Sequence, residues 1–306
     1  MTDRPVKNIA ASVRQRLQNR AKETNRPFQE VLQYFAMERF LYRVSQSPHV
    51  DRFILKGALM LNVWQTSTSR PTRDIDFLGK MDNNVNAIVV VIREICQLAV
   101  ESDGLVFKVD NLMGQAIKED ADYSGVRVTF QAILQNARVP MQIDIGFGDV
   151  VVPEASLSDY PTILEFGVPR LQTYPRETVV AEKLEAMVKL GQLNSRMKDF
   201  YDLWLLARQF EFNGTLLSTA ITQTFQNRQT SLVEQPVALT PTFTENPEKQ
   251  KQWQGFLRKS RLEIAPAQLT DLVDQLQDFL IPLLAGLMKN QRTNGNWKPG
   301  GPWVTD

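Results

Sequence analysis

The sequence predicts an α+β chain: a helical lead-in, an α/β core, and a mainly helical second half beginning near residue 175. Three observations lead there. Helical periodicity fills residues 8–45, polar–apolar alternation recurs between residues 52 and 146, and after Tyr174-Pro175 the periodicity is helical again. The expected domains are therefore residues 1–175 and 176–306.

Taken in order, residues 8–23 read as a polar, basic helix. Asn25-Arg26-Pro27 breaks the chain, and Pro27 suits a first helical turn with Thr24 or Asn25 as its cap. Phe28, Val31, Leu32, Phe35, Leu41 and Val44 then fall on one face, so residues 27–45 form an amphipathic helix ended by Ser47-Pro48. The apolar run Arg52–Lys56 is a strand that turns at Gly57 into a helix reaching Trp64. A polar loop over 65–72 leads into Asp74-Ile75-Asp76-Phe77-Leu78, which alternates as a strand does. Residues 85–101 read as an apolar helix. Residues 105–110, 124–134 and 138–146 read as strands, the last two a hairpin turning at Asn136.

In the second half, helices are expected over 176–191, stopped by Gly191, and over 197–210. Residues 229–250 are polar and Pro-containing, a long loop. Residues 266–290 form a strongly amphipathic helix bent at Pro282. The Gly/Pro-rich tail carries Trp297 and Trp303, rings that either stack on bases or pin the tail down.

Composition narrows the chemistry. The 306 residues hold 35 basic and 34 acidic side chains, so no global basic field announces nucleic acid. The first 50 residues are locally basic, and a helix over 8–26 offers either a solvated face or a contact to an RNA backbone. With one cysteine, Cys96, no internal disulfide forms, and with one histidine, His49, a His-rich zinc site is excluded. The chain shows no signal peptide and no apolar run long enough for a membrane; a cytoplasmic location is expected.

Asp74 and Asp76 stand two apart on a strand, so both carboxylates project from one face. Two such charges repel, and a divalent cation relieves the conflict. Asp144, in Gln142-Ile143-Asp144-Ile145, repeats the alternation on a strand that can neighbour the first. Three acids can hold metal ions for phosphoryl or nucleotidyl transfer; read singly, each is equally a solvated strand-edge acid. Gly57 lies seventeen residues before Asp74, between strand and helix, where a phosphate can approach the backbone. Lys56, Arg70 and Arg73 add cations, with structural pairing to an acid as the alternative for the two arginines. Downstream, Lys183 sits beside Val180 and Leu184, and Lys198, Asp199 and Asp202 can share a helix face; ordinary salt bridging is the competing account.

Taken together, the segments LKGALML (55–61), RPTRDIDF (70–77), QIDIGFGD (142–149), EKLEAMV (182–188) and RMKDFYDL (196–203) resemble the AbiEii/AbiGii family of nucleotidyltransferase-like toxins. The resemblance spans roughly residues 25 to 290. It implies a DNA-polymerase-β-like nucleotidyltransferase core, a mixed sheet with flanking helices, set between N-terminal helices and a mainly helical C-terminal domain. It implies Gly57 as the phosphate-cradling turn with Lys56, Ala58, Arg73 and Lys198 around the nucleotide, and Asp74 and Asp76 as ligands of Mg²⁺ or Mn²⁺, joined by Asp144. Lys183 becomes a triphosphate contact, and Asp199 or Asp202 an essential acid. It further implies a nucleoside triphosphate donor, an RNA acceptor such as the tRNA 3′ end, a translation block, a role in phage defence, and a cognate antitoxin of winged-helix repressor type. Where related enzymes carry Gly-Ser or Gly-Gly, this chain has Gly57-Ala58 and lacks the hydroxyl.

Two other readings share the acids. A glycosyltransferase also uses D-x-D, but leaves the Lys183 and Lys198-Asp199-Asp202 set unexplained. A degenerate member would bind nucleotide or antitoxin and transfer nothing. A haloacid-dehalogenase-type phosphatase requires Thr or Val two places after the second acid, where Leu78 stands.

Overall fold

The structure, a computed structural model, describes residues 8–66, 70–119 and 123–305. Arg4 and Lys7 of the basic lead-in, residues 67–69 of the polar loop and Asp306 at the tail lie outside the described residues. The chain forms two compact units. One comprises residues 1–65, 71–148 and 156–173; the other comprises 66–70, 149–155 and 174–306.

The first unit opens with α1 (Ile9–Glu23) and α2 (Phe28–Gln46). Thr24 serves α1 rather than α2: its N–H and hydroxyl both donate to the Arg20 carbonyl, closing the first helix. Pro27 stands just before α2, which starts without a side-chain cap. Strand β1 (Phe53–Lys56) runs into Gly57, a tight turn and the short helix α3 (Met60–Val63). Strand β2 (Asp74–Gly79) follows, then α4 (Val85–Gln97), which ends four residues before the expected 101. Strands β3 (Leu105–Glu119), β4 (Tyr123–Leu134) and β5 (Ala137–Phe147) form a meander. The β4–β5 hairpin turns at Asn136 as expected, through the two residues Gln135-Asn136 with Gln135 at φ 53°, so β5 begins one residue before the expected 138. Strand β3 runs well past the expected 110, through a register shift between Lys108 and Met113 that interrupted its alternation. Strands β6 (Ser156–Asp159) and β7 (Arg170–Thr173) were not foreseen.

The seven strands form one mixed sheet in the order β3-β4-β5-β2-β1-β7-β6. Strands β2 and β5 run parallel, as do β1 and β7; the other neighbours are antiparallel. In-register partners share a face. Phe53, Leu55, Ile75, Phe77, Ile143, Ile145, Val126 and Val128 point to the side covered by α1, α2 and α4 and join their apolar residues in one core. Alternation therefore sends Lys56, Asp74, Asp76, Gln142, Asp144 and Arg127 to the opposite face.

The second unit is mainly helical. It contains α5 (Arg176–Leu190), α6 (Met197–Gln209), a two-residue strand β8 (Phe212–Asn213) and α7 (Gly214–Asn227). As expected, Gly191 stops α5, at φ 47°. The segment 229–250, read as a loop, includes the single helical turn α8 (Pro241–Thr244) and the start of α9 (Pro247–Ser260). Helix α10 (Leu269–Met288) is continuous through Pro282. The tail is tied down: β9 (Asn296–Trp297) and β10 (Trp303–Val304) join β8 in a small sheet. The Trp297 indole donates to the Ala207 carbonyl at 2.6 Å, and Trp303 to Phe279 at 3.0 Å. Among the described residues no helix is long and apolar enough to cross a membrane.

Candidate active site

The three acids meet because of the strand register. Asp76 stands opposite Asp144 across the parallel β2–β5 pair and opposite Lys56 across the antiparallel β1–β2 pair; Asp74 stands opposite Gln142. One carboxylate oxygen from each of Asp74, Asp76 and Asp144 lies within 4.8 Å of the others. Asp74 and Asp76 are partly exposed and Asp144 is buried. Three hard oxygen donors converging at that spacing fit a divalent cation such as Mg²⁺ or Mn²⁺.

Each acid is oriented by neighbours. The Thr72 hydroxyl donates to Asp74 Oδ1, and the Thr72 N–H donates to the Tyr34 hydroxyl of α2 at 3.1 Å. Gln33 on the same helix donates to the Pro140 carbonyl at 3.0 Å, fixing the start of β5. Arg127 grips Asp144 with two parallel bonds, Nε to Oδ1 at 2.8 Å and Nη2 to Oδ2 at 2.7 Å, and Gln142 adds a third at 3.0 Å. That hydrogen bonding, followed by the charges of Asp144, Asp74 and Asp76, raises the Arg127 pKa against the opposing effect of burial. Arg127 is the residue that sequence reasoning missed. Its signal lay in the hairpin: once the turn is placed at Gln135-Asn136, counting back pairs Arg127 with Asp144.

Gly57 explains itself by contact. It adopts φ +73°, and a Cβ built on it would meet Asp76 Oδ2 at 1.9 Å. Only a glycine lets the β1 corner pass directly beside the acid. Ala58 follows it in the turn and is buried; Lys56 is also buried, and Arg73 is exposed immediately before β2. His49, the sole histidine, pairs with Glu94 of α4 at 2.6 Å and belongs to the covered side of the sheet.

Lys183, Lys198, Asp199 and Asp202 belong to the second unit. Lys183 Nζ lies 2.6 Å from Asp199 Oδ1 and 2.8 Å from Asp202 Oδ2. Arg70 pairs with Asp202 through Nε at 2.8 Å and Nη2 at 3.0 Å, the structural pairing weighed for it from sequence. Arg196 pairs with Asp199 at 2.8 Å. Burial pushes the Asp199 carboxyl up, but Lys183 and Arg196 outweigh it and hold it at about 2. Burial likewise opposes ionisation of Asp202 and Lys183, and their partners again win, lowering the first and raising the second. Lys198 points out of this set, exposed on α6.

With the acid row and its glycine corner in place, the family profile described as "Nucleotidyl transferase AbiEii toxin, Type IV TA system" matches residues 39–278. The chain belongs to the AbiEii family. It is accordingly a nucleotidyltransferase of the toxin–antitoxin type, with a nucleotide substrate and an antitoxin as its counterpart. AbiEii membership displaces the sugar-transfer alternative. No curated protein matches the chain. Two Helicobacter pylori crystal structures are similar at low identity. One, described as a candidate nucleotidyltransferase, is 17% identical with a TM-score of 0.45, covering 86% of this chain and 96% of that one. The other, JHP933, is 14% identical with a TM-score of 0.42, covering 83% and 97%.

Proposed function

We propose that this AbiEii protein transfers a nucleotide from a nucleoside triphosphate to the 3′ end of an RNA, tRNA being the acceptor class, and so blocks translation. The observation that carries the transfer chemistry is the convergence of Asp74, Asp76 and Asp144 within 4.8 Å beside the Gly57 corner. The tRNA end, the translation block, phage defence and a winged-helix antitoxin rest on the family resemblance of the five sequence segments.

Asp74, Asp76 and Asp144 would hold Mg²⁺ or Mn²⁺, which would supply charge neutralisation for the triphosphate and activation of the acceptor hydroxyl. Thr72 and Arg127 keep the outer acids in place. At the Gly57 corner the phosphate tail would approach the backbone beside Asp76, where N–H groups of the first turn lack intrahelical acceptors. No Ser or Thr hydroxyl is needed at residue 58 for that contact. Lys56 and Arg73 add positive charge on either side. Lys183 as a triphosphate contact rests on the resemblance; Asp199 and Asp202 act through it as positioning residues, holding its ammonium charged and oriented.

The test is incubation of the full chain with each labelled triphosphate and total RNA, with Mg²⁺ or with EDTA, followed by a gel. Wild type should label one RNA size class in Mg²⁺ alone, and Asp76→Ala should label none while melting normally. Nucleotide binding without label in any RNA would favour a binder that transfers nothing. Undiminished labelling by Asp76→Ala would remove the acids from the chemistry.

A further inference from the structure

Beyond the acids, the same sheet face carries a pocket of about 400 Å³ whose lining on β3 and β4 has no part in holding the acids or the triphosphate. Its position follows from register. Met113, Thr129, Gln142 and Asp74 form one row across β3, β4, β5 and β2. Gln131, opposite Pro140, lies one row further on, and Asn111 reaches the pocket from the register shift in β3. Arg73 stands at the β2 side. Three strand spacings separate β2 from β3, about 14 Å, so the pocket begins at the acid cluster and extends about a nucleotide's reach away from it.

Gly57 flanks the acids from β1, on the other side of β2. If the triphosphate tail sits at Gly57, the leaving pyrophosphate departs toward β1. In-line displacement then brings the attacking hydroxyl from the opposite side, over β5, β4 and β3. The pocket lies there.

We infer that this pocket seats the 3′-terminal nucleotide of a single-stranded RNA acceptor and presents its hydroxyl to the acid cluster. The lining matches that ligand. Asn111, Gln131 and Thr129 offer amide and hydroxyl groups that read base edges. Met113 is 69% exposed, a soft apolar surface for a base face. Arg73, shared with the triphosphate side, also stands within the pocket as a cation for the last phosphodiester, and among the described residues no carboxylate lines it. Its volume falls near the lower end for ligand sites, about 300–1,000 Å³, suited to one nucleotide and too small for a duplex end. The direction of attack rests on the transfer reading; the binding test below does not.

The test measures fluorescence anisotropy of a short 5′-labelled RNA with a free 3′ hydroxyl, on the full chain, beside calorimetric titration of nucleoside triphosphate. Met113→Ala and Gln131→Ala should each weaken RNA binding about tenfold and leave triphosphate affinity unchanged. Gln131→Glu, which adds a repelling charge, should weaken RNA further. A blunt RNA duplex should bind poorly to wild type, and a duplex with a single-stranded 3′ overhang should bind as the single strand does. Unchanged RNA affinity in the variants, tight binding of the blunt duplex, or a loss confined to triphosphate would each overturn the inference, the last by placing the donor's base in the pocket. Label transfer by wild type, measured separately, reports on the transfer reading alone.

Discussion

Replacing Gly57 with alanine introduces two costs that a control can separate. The first is backbone strain: at φ +73° an L-residue carries a penalty of roughly 1–2 kcal/mol. The second is collision. The new Cβ would stand 1.9 Å from Asp76 Oδ2, 2.6 Å from its Cγ and 2.8 Å from its Cβ. The whole carboxylate must swing away, by roughly 1 Å or more, a displacement that costs about a hundredfold in rate where geometry governs the reaction. Gly148 is the matched control. It has nearly the same backbone, φ +79°, and nothing within 4 Å of its would-be Cβ. Gly148→Ala should lose roughly 1–2 kcal/mol, a melting shift of about 2–8 °C, and Gly57→Ala at least as much because of the collision. Only Gly57→Ala should also lose about a hundredfold in nucleotide transfer, read from labelled triphosphate incorporated into RNA at saturating substrate. Equal transfer by the two variants would show that the contact between residue 57 and Asp76 has no part in the reaction.

Other outcomes follow from the same geometry. Arg127→Ala strands Asp144, a buried carboxylate, and should cost about 2 kcal/mol in chemical denaturation, a value reduced because Arg127 is itself partly exposed; Arg127→Lys should recover part of it. Lys183→Met leaves Asp199 and Asp202 without their shared ammonium and should cost about 3–5 kcal/mol at neutral pH by the same measurement. Asp199 is held at about 2, below its ordinary 3.8, so between those values the unfolded chain binds more protons than the folded one. Its contribution, about 2 kcal/mol, should be complete above pH 3.8 and disappear as pH falls through 2, and Lys183→Met should move that loss to higher pH. Cys96 is buried and its thiol is pushed up to about 12, so iodoacetamide at mildly alkaline pH should label it only after denaturation.

Much of the site was legible because strand periodicity is strict. Asp74 and Asp76 share a face in any β-strand, and the Gly57 corner announced itself through the strand before it and the turn after it. The β4–β5 hairpin was equally legible from Asn136. What escaped notice depended on partners distant in sequence or on weak local patterns. Strand β6 reads Ser-Leu-Ser-Asp, with only Leu157 apolar, and it forms as an edge strand through pairing with β7. Helix α7 is rich in threonine, a poor helix former, and is held instead by packing of Leu217, Ala220, Ile221 and Phe225 and by the Asn213 cap. Helix α9 was hidden by its polar sequence; Asn246 and Pro247 start it, and buried Trp253 anchors it. The Arg70–Asp202–Lys183–Asp199 set joins residues up to 132 positions apart, which helical spacing alone does not reveal.

Divalent ions and the nucleotide tail are expected to reside at the acid cluster and its glycine corner. Anomalous diffraction from crystals soaked with Mn²⁺ and a triphosphate whose α–β bridge resists cleavage tests this placement directly. The expected map places manganese among the carboxylates of residues 74, 76 and 144 and the terminal phosphates against the corner at residue 57. Manganese bound elsewhere, or a triphosphate seated away from that corner, would contradict the account.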